Sequence, residues 1–402
     1  MPTDPRLETI IKNAGIPGAS MAKVSPNKEI TTRTAGVKSS NGDETQANTV
    51  NKETTFEAAS LSKPVFAYII LKMIEEGKFD GPKQPETDAL DRPLHEIAPF
   101  GPPPLRDEPY KKNYESLTAR MILSHQAGLP NEFAPDHGIP FEFIAEPGTR
   151  FDYSGEAYFC LMDVAVQREA ALNGMSKKDC ENLPFPKRFE IFEQMAQKEF
   201  KKIGMTHSSF VANKGPNPDN RATGHNTEGK PDNENVHFSP GYTHPAASLV
   251  TTAEDYAKFL RACVDNEFIR ERMFKSQVEL AGKDTKAMNK GVPLDTLSNI
   301  QWGLGFGLQT TKNKTTGKPE TTAFHWGDIN TSRSFAAIGP NGEAAVCLAN
   351  SANGPKAFLQ IVEPMVGNLN SVSDWLSRRE GLDIKPNPTE FELSIVDHAV
   401  PR

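Results

Sequence analysis

A chain of 402 residues with 37% hydrophobic content has enough apolar material for a large core and room for two lobes. Its formal net charge of −7, with Lys and Arg spread rather than clustered, argues against a general nucleic-acid binder. No run of about 18 apolar residues occurs, so no membrane span is expected, and the opening Met1-Pro2-Thr3-Asp4-Pro5-Arg6 lacks the basic-then-apolar form of a secretory signal, which points to the cytoplasm.

Residues 5–14 pattern as a short amphipathic helix, with Leu7, Ile10 and Ile11 on one side. Residues 18–24 and 29–37 read as two strands around a turn at 25–28, a hairpin, and Asn41-Gly42-Asp43 is turn chemistry. A helix beginning at Ser60 and apolar all round as far as Lys72 belongs at a protein centre, and Gly77 suits its C′ position. Residues 80–110, rich in proline, form a surface connection. Short helices follow at 118–125, stopped by Gln126-Ala127-Gly128-Leu129-Pro130, and at 157–170 and 185–203. Residues 213–236 make a polar loop, and 281–299 a second weakly structured insertion. Between them lies a helix at 254–265, with Thr252 as its cap. Strands are expected at 303–309, 323–326, 332–338 and 344–350, the last three as a meander, before a closing helix at 355–377.

Strands at both ends around a helical block predict an α+β fold: one antiparallel sheet built from both ends, flanked by terminal helices, plus a mainly helical lobe. The expected division is 1–59 with 300–380 as the sheet lobe, 60–299 as the helical lobe with insertions, and 381–402 as a tail. Two lobes place a ligand site at their junction.

The four cysteines, Cys160, Cys180, Cys263 and Cys347, form no C-x-x-C pair and have no His cluster beside them, so neither a zinc site nor another metal or cofactor is expected. Cys160 and Cys347 lie in apolar stretches and read as buried, reduced thiols. The nine histidines never form H-E-x-x-H, and no G-x-S-x-G elbow is present. Gly303-Leu304-Gly305-Phe306-Gly307 does not fit G-x-G-x-x-G and reads as a strand needing close packing.

Chemistry concentrates at Ser60 and Lys63. Positions i and i+3 share a helix face, so hydroxyl and ammonium can meet at a helix N-terminus whose free N–H groups favour developing negative charge. Ser60 as an ordinary N-cap, with Lys63 solvated in the first turn, fits the same four letters. Tyr153 follows a Pro147-Gly148 turn and precedes a helix, so it can present its hydroxyl as a second proton-transfer group; a phenolate beside an ammonium would be stabilised. Equally, it fits as a packing residue with a polar tip. On a late strand, His325-Trp326-Gly327 offers an edge N–H for an oxyanion, a flat apolar wall at Trp326, and a glycine that lets a ligand approach; a surface histidine beside a buried tryptophan is the plain alternative.

The ordered set Ser60-Leu61-Ser62-Lys63, Leu123-Ser124-His125-Gln126-Ala127-Gly128-Leu129, Pro147-Gly148-Thr149-Arg150-Phe151-Asp152-Tyr153-Ser154, Lys202-Ile203-Gly204-Met205-Thr206-His207, Pro245-Ala246-Ala247-Ser248-Leu249-Val250-Thr251-Thr252 and His325-Trp326-Gly327 resembles the serine β-lactamase superfamily, in its class C-like branch. That branch includes penicillin-binding-protein-like hydrolases, family VIII carboxylesterases, D-aminopeptidases, D-alanyl-D-alanine carboxypeptidases and some acyltransferases. The resemblance covers about residues 5–380. It implies Ser60 as the acylated nucleophile, Lys63 and Tyr153 sharing its proton, and an oxyanion hole from the N–H groups of Ser60 and Asp328.

Two positions depart from the pattern. Gly155 stands where an Asn would contact a penicillin side chain, and His325 replaces a lysine that grips a substrate carboxylate. Both changes point away from an efficient β-lactamase. The expectation is a serine hydrolase forming an acyl-enzyme on small or medium esters. Alternatives are a β-lactamase or D-amino-acid peptidase or amidase, an acyltransferase on the same residues, or a binding or sensor protein that is acylated without turnover. The partner expected is a small ester or amide substrate.

Overall fold

The computed structural model describes residues 5–42, 45–79, 88–133, 140–212, 217–232, 241–281, 289, 291–313 and 315–384. Their strands are β1 (Gly18–Val24), β2 (Ile30–Gly36), β3 (Phe56–Glu57), β4 (Val250–Thr251), β5 (Val278–Glu279), β6 (Ile300–Trp302), β7 (Gly307–Lys312), β8 (Pro319–Asp328), β9 (Arg333–Ile338) and β10 (Ala344–Ala349). Eight of them form one antiparallel sheet in the order β2-β1-β10-β9-β8-β7-β6-β5, and β3 pairs with β4 apart from it. The expected hairpin and meander are both present. They join where Ala19 faces Ala349 and Val24 faces Ala344.

Strand β10 shows why the sheet lies at the centre. All six of its residues are buried. Ala344, Val346 and Leu348 face one apolar cluster and Ala345, Cys347 and Ala349 the other, the period-2 alternation of a strand covered on both faces. On one side pack the helices Pro5–Ala14, Pro355–Val366 and Asn370–Arg379; on the other pack Ala253–Asp265 and the helix Ser62–Glu75 with the rest of the helical block. This is the expected α+β architecture.

The Ser62–Glu75 helix buries eleven of its fourteen residues, as its all-round apolar sequence requires. It ends as a Schellman motif: Gly77 N–H donates to Ile74 O at 2.9 Å, Lys78 N–H donates to Met73 O at 2.8 Å, and Gly77 has φ +65°. Thr252 caps the Ala253–Asp265 helix by accepting from Asp255 N–H.

Three expectations are corrected. Residues 303–306 form the turn between β6 and β7, not a strand: Gly303 N–H donates to Phe306 O at 2.8 Å, and Gly305 has φ +85°. Glycine allows that φ, and two glycines within the four residues 303–306 turned the chain back. The closing helix is two helices, Pro355–Val366 and Asn370–Arg379, broken at Gly367 with φ +85°. The stretch 281–299 contains a helix at Leu294–Ser298, with residues 282–288 and 290 outside the described ones. Residues 213–216 and 233–236 of the polar loop, residues 80–87 of the 80–110 connection and residues 385–402 of the tail also lie outside the described residues.

Candidate active site

The site starts from a strained turn. Strand β3 pairs with β4, and immediately afterwards Ala58 N–H donates to Leu249 O at 2.8 Å. Ala59 then takes φ +49°, a left-handed conformation costly for a residue with a Cβ. The reversal places Ser60 in a single 3₁₀ turn, Ala59–Leu61, at the head of the central helix. Ser62 pins the turn: its hydroxyl donates to Ala59 O at 2.6 Å and accepts from Leu249 N–H at 3.0 Å. From the sheet, Ser334 Oγ donates to Ala58 O at 3.0 Å. Gly327 lies against the same carbonyl, where a Cβ would sit 2.2 Å from Ala58 O and 2.3 Å from Ser334 Oγ. Only glycine lets β8 approach this closely.

Lys63, one helical turn on, is 2% exposed. Its Nζ donates to Ser60 Oγ at 3.0 Å and to Ala246 O at 3.1 Å, and stands 4.6 Å from the centre of the Tyr153 ring. Burial lowers its pKa from 10.5 to about 7, against smaller opposing effects of Glu132 and Glu380. A sizeable fraction is therefore free base at neutral pH. In that form the Ser60–Lys63 bond reverses, with the serine O–H donating to Nζ.

Tyr153 is brought to the same place. Its hydroxyl is buried beside Ser60 without a well-aligned hydrogen bond. Burial raises its pKa and the Glu380 carboxylate adds to the rise, while the nearby Ser60 and, less strongly, Arg379 only partly offset it. The expectation of a phenolate stabilised by the lysine is thus reversed: desolvation exceeds the attraction, the tyrosine rests as a phenol, and burial shifts Lys63 toward its free-base form. The ring is held on several sides, by His125 at 4.2 Å, by Trp326 stacked at 5.5 Å, and by Arg379, whose Cζ is 5.9 Å from the ring centre.

Beyond Phe324, β8 runs past the end of β7, so residues 325–328 pair in the sheet only with β9. Their β7-side edge faces the turn that carries Ser60. His325 is completely buried, not on the surface; its pKa falls to about 3, through desolvation first and then Lys63. It is a neutral ring whose Nδ1 lies 2.7 Å from Trp326 O, a bond that makes Nδ1 the protonated nitrogen. Trp326 is 5% exposed and braces the tyrosine instead of offering an open wall. Asp328 ends the strand, its carboxylate accepting from Asn330 N–H at 2.7 Å and paired with Arg333 at 3.0 Å. Gly155 heads the Glu156–Leu172 helix, its N–H held by Asn131 Oδ1 at 3.0 Å; a Cβ there would lie 2.9 Å from Asn131 O.

Residues with no role assigned from sequence also border the site. His125 has φ +57°, and its Nδ1 accepts from Ser154 N–H at 3.1 Å, fixing the segment that carries Tyr153. Trp302 touches His125, Tyr153 and His325. The Leu123–Leu129 motif contains His125, but its contact with Tyr153 is tertiary and has no local signal. Arg379 carried no signal at all. Among the described residues, no group of three or more His, Cys, Asp or Glu is arranged to hold a metal ion.

With this geometry in place, comparison with known proteins is informative. Residues 4–361 match the family model described as Beta-lactamase. A class C beta lactamase has a TM-score of 0.59 and 17% identity, covering 93% of this chain and 96% of its own. The D-alanine carboxypeptidase AmpC from Burkholderia cenocepacia has a TM-score of 0.58 and 18% identity, covering 88% of this chain and 95% of its own. The octameric penicillin-binding protein homologue from Pyrococcus abyssi gives 0.59 and 18%, covering 89% of this chain and 76% of its own. At these identities the likeness is one of fold. No curated protein matches the chain.

Proposed function

Since the chain belongs to the beta-lactamase family, we propose that it is a serine hydrolase working through an acyl-enzyme on Ser60, with small and medium carboxylic esters as its substrates. The observation that carries this is the 3.0 Å approach of Lys63 Nζ to Ser60 Oγ, with the lysine pKa lowered to about 7 by burial. Free-base Lys63 takes the Ser60 proton as Oγ bonds to the ester carbonyl carbon. The negative charge passes to the carbonyl oxygen, for which the N–H groups of Ser60 and Asp328 are the proposed donors. When the C–O bond breaks, the alkoxide takes a proton from Lys63, with the Tyr153 phenol as relay. Water then attacks the acyl-enzyme by the reverse proton path.

Preference for esters over lactams rests on Gly155 and His325. An Asn at 155 would press on Asn131 O, and the buried His325 ring carries no charge for a substrate carboxylate. The test is kinetics on p-nitrophenyl butyrate and nitrocefin for the wild type and Ser60→Ala. Ester turnover is expected to dominate and to vanish in the variant. Dominant nitrocefin turnover would overturn the ester assignment, a stable mass increase on Ser60 without product would overturn turnover, and activity surviving Ser60→Ala would overturn the nucleophile.

A further inference from the structure

The Asn370–Arg379 helix lies beyond residues 4–361, the span matched by the family model, yet it reaches the catalytic tyrosine. Positions four apart share a helix face, and Trp375 and Arg379 use that face together. Trp375 packs edge-on against Trp326 at 5.5 Å and Trp302 at 6.1 Å, while its indole N–H donates to Asn289 Oδ1 at 3.0 Å. The helix is held further by Val372 N–H donating to Gln309 Oε1 at 3.1 Å and by Thr296 Oγ1 donating to Asp374 at 2.7 Å. Its placement is thus set by the sheet and does not depend on Arg379.

One turn beyond Trp375, the Arg379 guanidinium enters a cage of rings. Its Cζ is 5.0 Å from the centre of Trp375, 5.6 Å from Phe151 and 5.9 Å from Tyr153. The Arg379 side chain is 11% exposed, Nε faces Glu380 at 3.3 Å, and Nη1 is buried with no hydrogen-bond partner among the described residues. A buried guanidinium with an idle donor is expensive. The Tyr153 ring therefore has one standing cation near it, Arg379, beside the only partly protonated Lys63, where the sequence position associated with a cation holds the neutral His325.

We infer that Arg379 is a positioning residue for Tyr153: it fixes the ring against Trp326 and supplies the standing positive charge that eases negative charge onto the phenol oxygen during proton relay. This rests on the serine-hydrolase assignment. No bond is made or broken by Arg379. Its contribution is the electrostatic attraction between guanidinium and the ring and oxygen of Tyr153, largest when the relay makes the phenol most negative, and so it belongs to kcat rather than KM.

The test uses the full chain with Arg379→Gln and Arg379→Lys. The rate of Ser60 labelling by a fluorophosphonate, kcat and KM on p-nitrophenyl butyrate, and the thermal midpoint are measured for each. Arg379→Gln is expected to slow both labelling and kcat about tenfold with KM within about twofold, and Arg379→Lys to restore both to within about threefold at an unchanged midpoint. Equal rates in wild type and Arg379→Gln would overturn the inference alone. So would loss in Arg379→Lys as large as in Arg379→Gln, which would mark a packing role. A wild type that takes no label at Ser60 would overturn the hydrolase assignment, and this inference with it.

Discussion

Lys63 illustrates how one side chain trades stability for reactivity. Its proton is bound up to pH 10.5 in the unfolded chain but only to about pH 7 in the fold. The unfolded chain therefore binds more protons between those values, and burial weakens the fold progressively as pH falls from about 10.5 to about 7. Lys63→Met is expected to abolish ester turnover while raising stability at pH 7 by about 1–3 kcal/mol, the usual gain when a buried charge gives way to an apolar side chain. The gain should vanish above about pH 10.5, as urea unfolding at two pH values would show. In the wild type, kcat/KM should rise with pH and reach half its maximum near pH 7, because the proposed mechanism needs free-base Lys63 to accept the serine proton; a profile flat from pH 5 to 9 would contradict this. Gly155→Asn should not gain nitrocefin turnover and should lose about 1–3 kcal/mol, since its Cβ would stand 2.9 Å from Asn131 O. The Ser60–Lys63 pairing was legible because a three-residue spacing on a helix fixes it locally. Tyr153 became legible only with the ordered motifs around it. The phenol's protonation was misjudged because desolvation depends on what buries the ring, which no local pattern reports.

Among the elements, the β6–β7 turn and the central helix depend on one another. Gly305, with φ +85°, lies where a Cβ would be 2.7 Å from Ala67 Cβ and 3.2 Å from Pro64 Cα, and its N–H donates to Leu123 O at 2.9 Å. The sheet thus presses on the helix turn that carries Lys63. Gly305→Ala combines an unfavourable φ with overpacking and should cost about 2–4 kcal/mol in urea unfolding. It should also lower ester kcat, whereas Gly317→Ala, a turn with nothing within 4 Å, should leave kcat unchanged. Element types followed from hydrophobic period, as for the hairpin, the meander and the all-round apolar helix. Their ends were less legible: glycines at 303, 305 and 367 were read within continuous elements, while their positive or tightly packed backbone makes them turns. The β3–β4 pair is two residues long on each side and has no periodicity to find, although it leads directly into the turn that carries Ser60.

For the molecule as a whole, the two apolar clusters on either face of the sheet account for all four thiols, which are free and buried. Burial raises the pKa of each. Maleimide should therefore label the native protein slowly and label it fully in urea, and dithiothreitol should leave the thermal midpoint unchanged. No described helix is long and apolar enough to cross a membrane. The pairing of Ala19 with Ala349 has a consequence for biosynthesis. At about 5–20 residues per second, the ribosome takes on the order of 20–60 s to make the partner of β1 after β1 itself emerges. Throughout that interval the N-terminal hairpin is outside the tunnel without the strand that will pair with it. The sheet can close only once β10 has emerged, so the nascent chain passes through a long window in which its own sheet cannot yet shield it.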